Sequence, residues 1–176
     1  YFNANGQLAI IQVTKPVYEN ALEKALEAYK KAYEVDVKKT KEKDIKAGME
    51  SIANKYLNDA FNSYQFGKYA EASDLFALSA ETMATTPVNK VDTTALYNAG
   101  FTSWMVQDYN KAKSFFEKCL ENNYYYEGGE VFAKLADVYA KLGDKEKGRD
   151  ILEQGFTKFP QSQSILIGLI NYYMES

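Results

Sequence analysis

The feature of this sequence that most limits its fold is a packing motif that occurs four times. In each copy a small residue is followed four positions later by a bulky one, and three positions beyond that by another small one. Offsets of four and seven place all three side chains on one face of an α-helix, where they pack against a neighbouring helix. The recurrence predicts an array of stacked helical units. The four sets are Ala25, Tyr29 and Ala32; Ala72, Phe76 and Ser79; Ala112, Phe116 and Cys119; and Gly148, Leu152 and Gly155.

Composition narrows the classes of partner that suit the chain. Its 176 residues, 46% of them hydrophobic, suit one ordinary domain or one short solenoid. A net charge of −3, with Lys and Glu interspersed, lacks the basic surface of a nucleic-acid-binding protein. No apolar run approaches the ~20 residues of a membrane-spanning helix. Because the sequence begins with Tyr1 rather than methionine, we interpret it as a processed or trimmed piece of a longer chain.

The titratable side chains argue against an enzyme. The chain has no histidine, which removes Ser-His and Cys-His catalysis and the usual zinc sites. Its single cysteine, Cys119, excludes an internal disulfide and a thiolate metal cluster, and leaves the compartment undetermined. Since Cys119 lies in a packing stripe, we expect it to be a buried apolar residue rather than a reactive thiol. The sequence therefore predicts no enzymatic activity, no cofactor and no metal site.

The clearest helical unit spans residues 129–162. Gly143 suits the tight turn between its two helices, and Asp144 is placed to cap the second helix by accepting a free backbone N–H. The remaining pattern residues are Phe132, Leu135, Ala136 and Tyr139 in the first helix, Gly148 and Leu152 in the second, and the closing Pro160. This order resembles the tetratricopeptide repeat.

The resemblance covers nearly the whole chain and implies an all-α fold. In that fold, antiparallel helix pairs stack into a right-handed superhelix, an α-solenoid, and we expect about eight or nine helices and no sheet. We divide the single repeat-array domain, residues 1–176, into a divergent unit at about 3–40, units at 53–86, 93–126 and 129–162, and a terminal helix at 163–175.

Both ends of the array depart from the repeat pattern. In the first unit, the apolar run Gln7–Val13 is the expected first helix, Pro16 suits the start of the second, and the lysine-rich stretch Lys38–Asp44 is interpreted as a solvated extension of that second helix. At the other end, the terminal helix carries an apolar face without a sequential partner. We expect it either to meet further repeats or a second copy of the chain, or to serve as the cap itself.

The resemblance also implies where a partner binds. In the family, the first helix of each unit lines the concave groove. The groove positions carry Leu57, Phe61 and Tyr64 in one unit, Tyr97, Phe101 and Trp104 in the next, and the small or acidic Ala133, Asp137 and Ala140 in the third. Exposed aromatic rings concentrate at binding hot spots. The predicted partner-binding residues are Phe61, Tyr64, Tyr97, Phe101 and Trp104, with Asn58 and Asn98 beside them. The alternative is that these rings pack between neighbouring first helices or under the N-terminal segment.

Two functions fit this groove. The first is a scaffold that binds a protein or peptide partner, whose identity the sequence does not reveal. The alternative is a carbohydrate-binding envelope protein, in which Tyr64, Tyr97 and Trp104 stack on sugar rings. The tyrosine- and lysine-rich composition resembles repeat proteins of gut Bacteroidetes, many of which belong to the cell envelope. That resemblance implies a periplasmic or envelope location.

Overall fold

The computed structural model describes residues 20–175, and in this part of the chain it contains α-helices and no strands. This confirms the predicted all-α class. The helices are α1 (Ala21–Val35), α2 (Glu42–Gln65), α3 (Tyr69–Ala84), α4 (Thr93–Met105), α5 (Tyr109–Glu121), α6 (Glu130–Lys141), α7 (Lys145–Lys158) and α8 (Gln163–Glu175), with a short 3₁₀ turn at Glu127–Gly129 before α6.

Each helix packs mainly on the one before it and the one after it, and α8 also contacts α6. This neighbour-to-neighbour order is the arrangement of a helical-repeat solenoid. The same turn reverses the chain within three pairs: backbone N–H groups of Lys68, Asp108 and Asp144 donate to carbonyls five residues earlier, each at 2.9 Å. The residue before each donor has positive φ, a conformation that favours glycine. It is Gly67, Gln107 or Gly143.

The predicted cap at Asp144 is present, since its side chain accepts a hydrogen bond from the N–H of Lys147 at 3.1 Å. Asp108 caps α5 in the same way, accepting from the N–H of Lys111 at 3.2 Å. A side-chain acceptor at this position satisfies a backbone donor that the first helical turn leaves free. The turn and its cap therefore position consecutive helices as antiparallel pairs.

Three of the four packing stripes are buried throughout, those on α3, α5 and α7, whereas the one on α1 is half-buried. Their small residues let backbones approach closely. A Cβ atom added to Gly148 would lie 2.9 Å from the carbonyl oxygen of Ala136, and one added to Gly100 would lie 2.9 Å from the ring of Phe116. As expected, Cys119 is fully buried in its stripe on α5.

Replacing Gly100 or Ala136 with leucine is expected to lower the free energy of unfolding by about 1–3 kcal/mol, because a Cβ at Gly100 already meets the Phe116 ring and Ala136 is buried among Phe132, Leu152 and Ile165. Ala70→Leu on the exposed face of α3 is the matched control, with an expected change within about 0.5 kcal/mol. Chemical denaturation followed by circular dichroism measures all three variants. Equal stabilities for Gly100→Leu, Ala136→Leu and the control would show that the helix registers are wrong.

Hydroxyl groups bridge two of the helix interfaces inside the core. The Ser73 hydroxyl on α3 lies 2.7 Å from that of Ser103 on α4, which donates to the carbonyl of Ala99 at 2.7 Å. The Ser79 hydroxyl on α3 donates to the carbonyl of Ala53 on α2 at 2.9 Å. Because these side chains are buried, each hydroxyl depends on a protein partner to satisfy its hydrogen-bonding capacity.

The lysine-rich stretch is not an extension of the helix before it, so that expectation was wrong. Helix α1 ends at Val35, and Lys39 adopts φ +55° in the turn that follows. The Asp36 carboxylate accepts from the N–H of Lys41 at 2.6 Å and from the Thr40 hydroxyl, and these bonds lower its pKa. The inserted residues instead lengthen α2, which runs for 24 residues. The predicted helix at Gln7–Val13 and Pro16 lie outside the described residues.

The extended part of α2 has its own small core. Ile45 and Met49 are buried together with Val88, and they pack against half-buried side chains of α1, among them Leu26 and Tyr29. The α1 stripe therefore packs on the added turns of α2.

Helix α8 covers the end of the last helix pair with one face only. Ile165 is fully buried against α6 and α7, where it joins a cluster with Phe132 and Leu152. Within residues 20–175, its opposite face, with Ile167 and Ile170, is exposed. The helix thus caps the pair beneath it while presenting an apolar surface of its own.

Candidate partner-binding site

The predicted rings of α4 form part of a continuous stack, here called the aromatic row and consisting of Tyr126, Tyr97, Phe101 and Trp104. The Tyr126 and Tyr97 rings are nearly parallel with centroids 4.1 Å apart. Tyr97 and Phe101 follow at 6.1 Å, and Phe101 and Trp104 at 6.0 Å. Offsets of four and three on α4 produce this alignment, because they keep successive rings on one face.

Tyr97 is the buried member of the aromatic row. Its side chain is only 6% exposed, because Tyr126 stacks on it and Tyr124 lies beside it. Burial raises the pKa of the Tyr97 phenol well above its usual range. Tyr126 reaches this position through a backbone turn with φ 52° and ψ 174°. Tyr97 therefore supports the other rings, and Tyr126, which lies outside the predicted partner-binding set, provides the accessible ring at that end.

Trp104 is half-buried, and its orientation is fixed from α6. Its indole N–H donates to an Asp137 carboxylate oxygen at 2.6 Å. The Lys134 ammonium lies 3.8 Å from the centroid of the Trp104 ring and 5.7 Å from that of Phe101, a cation–π arrangement. Lys134 also lies 3.7 Å from Glu130. These contacts join the aromatic row to the next helix pair and leave part of the indole exposed.

The predicted residues of α2 form a second, separate group. Phe61 is 40% exposed and packs edge-to-face on Phe76 of α3 with ring centroids 5.0 Å apart. Tyr64 is 37% exposed and contacts the Tyr69 ring of α3 at 5.4 Å. Both rings therefore lean on α3 while keeping accessible surface.

The two predicted asparagines differ in their surroundings. Asn58 on α2 is exposed. Asn98 on α4 is half-buried, and its side-chain amide donates to the carbonyl of Thr94 one turn earlier at 3.0 Å. Asn58 is therefore accessible to a partner, whereas the amide donor of Asn98 already serves its own helix.

Beyond Trp104 the groove opens into a cavity of about 350 Å³ between α6, α7 and α8, here called the α6–α8 cavity. Its floor includes Ala133, a groove residue, and the buried Ala136, while the exposed groove residue Ala140 lies at its rim. Its rim carries both signs of charge. The charged residues are Asp137, Lys141, Lys145, Arg149 and Glu175. The small residues of α6 were predicted from the sequence. Lys145 and Arg149 were not, because they lie in the first turns of α7, whose charged residues suggest a solvent-exposed surface.

Two segments of the chain match models of the tetratricopeptide repeat, at residues 93–125 and 130–162. Residues 93–162 therefore contain two tetratricopeptide repeats. The two matched repeats correspond to α4 with α5 and to α6 with α7. No curated protein matches the sequence. Tetratricopeptide repeats generally mediate protein–protein interactions and typically serve as non-enzymatic scaffolds.

The site spans the two matched tetratricopeptide repeats. Phe101 and Trp104 belong to the first helix of one repeat, while Lys134 and Asp137 belong to the first helix of the next. Between residues 20 and 175 the array contains no group of three or more acidic or cysteine side chains placed to hold a metal ion. None of its helices in this range combines the length and apolar character that crossing a bilayer requires.

Proposed function

We propose that this repeat array is a non-enzymatic scaffold that binds a peptide segment of a protein partner in its groove, with Trp104 at the centre of the site. The observation that carries the proposal is that Trp104 is held in one orientation while part of its ring stays exposed. Its polar atom is already satisfied by Asp137 and its ring plane is held by Lys134, yet part of the indole remains exposed. A large ring held in one orientation loses little conformational entropy on binding, which favours its use as an anchor.

The proposed contact surface follows from the accessible parts of the predicted set. Phe101 and Trp104 form its centre, with Tyr126 at one end of the row. Phe61, Tyr64 and Asn58 on α2 extend the surface towards the N-terminal repeats, as neighbouring first helices line one groove in this family. Tyr97 and Asn98 act indirectly, by supporting the row and the helix that carries it.

The geometry does not favour the carbohydrate alternative. Of the three rings expected to stack on sugars, Tyr97 is covered by Tyr126 and the Trp104 ring carries the Lys134 ammonium. Tyr64 lies on a different helix and contacts Tyr69. The remaining accessible ring surface is therefore discontinuous, which suits the spaced side chains of a peptide better than a row of sugar rings.

Replacing Trp104 with alanine is expected to weaken peptide binding by about 2 kcal/mol or more, roughly thirtyfold, because it removes the anchor of the groove. The probes are peptides selected against the wild-type chain from a random displayed library, and titration calorimetry measures their affinities. Trp104 is the only tryptophan, so its emission should also change when such a peptide binds.

Val106→Ala is the control for Trp104→Ala. Val106 is an exposed apolar residue that follows α4 directly, and it lies outside the proposed surface. Selected peptides that bind Trp104→Ala as tightly as they bind the wild type, without altering tryptophan emission, would contradict the proposed site.

A further inference from the structure

The α6–α8 cavity exists because side chains that fill the groove in one repeat are replaced by small ones in the next. Where α4 carries Tyr97, Phe101 and Trp104, the corresponding groove positions of α6 carry Ala133, Asp137 and Ala140. The resulting space of about 350 Å³ is not filled by α8, which packs on the same helices. A cavity of this size with an alanine floor suits one large apolar side chain.

The charges around the cavity favour a negative occupant. Its lining carries three cations, Lys141, Lys145 and Arg149, against the two carboxylates of Asp137 and Glu175, although the chain as a whole has a net charge of −3. Both carboxylates already have partners: Asp137 accepts from Trp104, and Glu175 lies 2.9 Å from Lys145.

Two of the cations remain available to a ligand on the cavity side. Arg149 is paired with Asp150 at 2.6 Å and lies 3.7 Å from Glu153, but neither acid lines the cavity; its guanidinium also lies 5.6 Å from the centroid of the Tyr172 ring, which does. Lys141 is exposed and forms no salt bridge with any residue between 20 and 175. The unmatched positive charge therefore comes mainly from Lys141 at the end of α6, with Arg149 opposite it on α7.

We propose that the α6–α8 cavity binds an acidic stretch of the peptide partner, taking up one large apolar side chain while Lys141 and Arg149 pair with neighbouring aspartate or glutamate side chains. This inference rests on the proposed function and specifies the class of partner. Lys145 and Arg149 are one helical turn apart on α7, and Lys141 belongs to α6, so the cations are spread along the rim. That spread suits side-chain carboxylates placed along a segment better than a single terminal carboxylate.

The position of the cavity links it to the aromatic row. Asp137 lines the cavity and holds the indole N–H of Trp104, so the cavity begins where the row ends. A segment anchored on Trp104 therefore places its following residues over the alanine floor and the cationic rim.

The test uses the same displayed library, with the whole chain as the target. Selected peptides should be enriched in aspartate or glutamate beside a large apolar residue. Lys141→Glu is expected to weaken them about tenfold, since it replaces attraction with repulsion at an exposed position. Lys43→Glu, the same charge change on the exposed start of α2, should leave their affinity unchanged. Amidation of the peptide C-terminus should also have no effect.

A second variant tests the apolar half of the cavity. Ala140→Phe places a ring at the rim, at an exposed position where it does not disturb the core, and is expected to weaken the same peptides about tenfold. Peptides that depend on Trp104 yet show no acidic enrichment and no response to Lys141→Glu would overturn this inference and leave the proposed function standing.

Loss of binding on amidation would also overturn the inference, because it would assign the charge to the peptide terminus. Binding that is insensitive to Trp104→Ala, or a library that yields no binders, would overturn the proposed function and this inference with it.

Discussion

The Phe116→Ala variant is expected to lose about 3–5 kcal/mol of unfolding free energy, the range typical of removing a fully buried phenylalanine. Phe116 has no exposed surface, and its ring lies 6.1 Å from that of Tyr97 and directly beneath Gly100. Alanine would leave a cavity between α4 and α5 that the rigid helix pair fills only in part. Urea denaturation followed by circular dichroism measures the loss.

Phe156→Ala is the matched control for Phe116→Ala, because Phe156 on α7 is 40% exposed. Its expected loss is smaller than that of Phe116→Ala, since two-fifths of the Phe156 surface already contacts water. A loss at Phe116 no larger than that at Phe156 would contradict the assignment of the α5 stripe to the core.

The folded chain is expected to lose stability above pH 9, and Cys119 should account for about 3 kcal/mol of that loss by pH 11. Burial raises the pKa of the Cys119 thiol from 9.0 to about 12. Between these values the unfolded chain releases the thiol proton and the folded chain retains it, so rising pH favours unfolding. Each pKa unit is worth about 1.4 kcal/mol, and pH 11 lies two units above the unfolded value.

The Cys119→Ala variant isolates this contribution to the pH dependence. Burial also raises the pKa values of Tyr97 and Tyr139, and those phenols remain in the variant. The difference in unfolding free energy between wild type and Cys119→Ala should therefore shift by about 3 kcal/mol in favour of the variant between pH 8 and pH 11. Parallel pH profiles for the two proteins, measured by urea denaturation, would contradict a buried thiol.

The core of the array could be predicted from local spacing. Ala112, Phe116 and Cys119 lie within two turns of one helix, so their common face follows from helical geometry alone. The same holds for the turn at Gly143 and the cap at Asp144, because both depend on neighbouring residues. A feature whose residues lie within a few positions of one another can be predicted from the sequence, because helix and turn geometry fixes how such neighbours are arranged.

The site was less predictable because its contacts join distant parts of the chain. The hydrogen bond from Trp104 to Asp137 spans two repeats, and the burial of Tyr97 depends on where a linker places Tyr126. That placement needs a positive φ at a tyrosine, which residue preference alone would not suggest. The same limitation explains the error at Lys38–Asp44, where a turn around Asp36 interrupted a stretch whose composition suits a helix.

The buried serines determine which of several similar alignments the helices adopt. Apolar stripes that repeat every turn are nearly as well packed after a shift by one turn, because the hydrophobic effect is not directional. The Ser73–Ser103 pair and the bond from Ser79 to the Ala53 carbonyl are satisfied in one alignment only. A shift by one turn would separate the Ser73 and Ser79 hydroxyls from these partners on neighbouring helices, at about 1–3 kcal/mol each, whereas Ser103 would keep its bond to the Ala99 carbonyl of its own helix. A few hydroxyl groups thus favour one alignment of helices whose apolar contacts are otherwise repetitive.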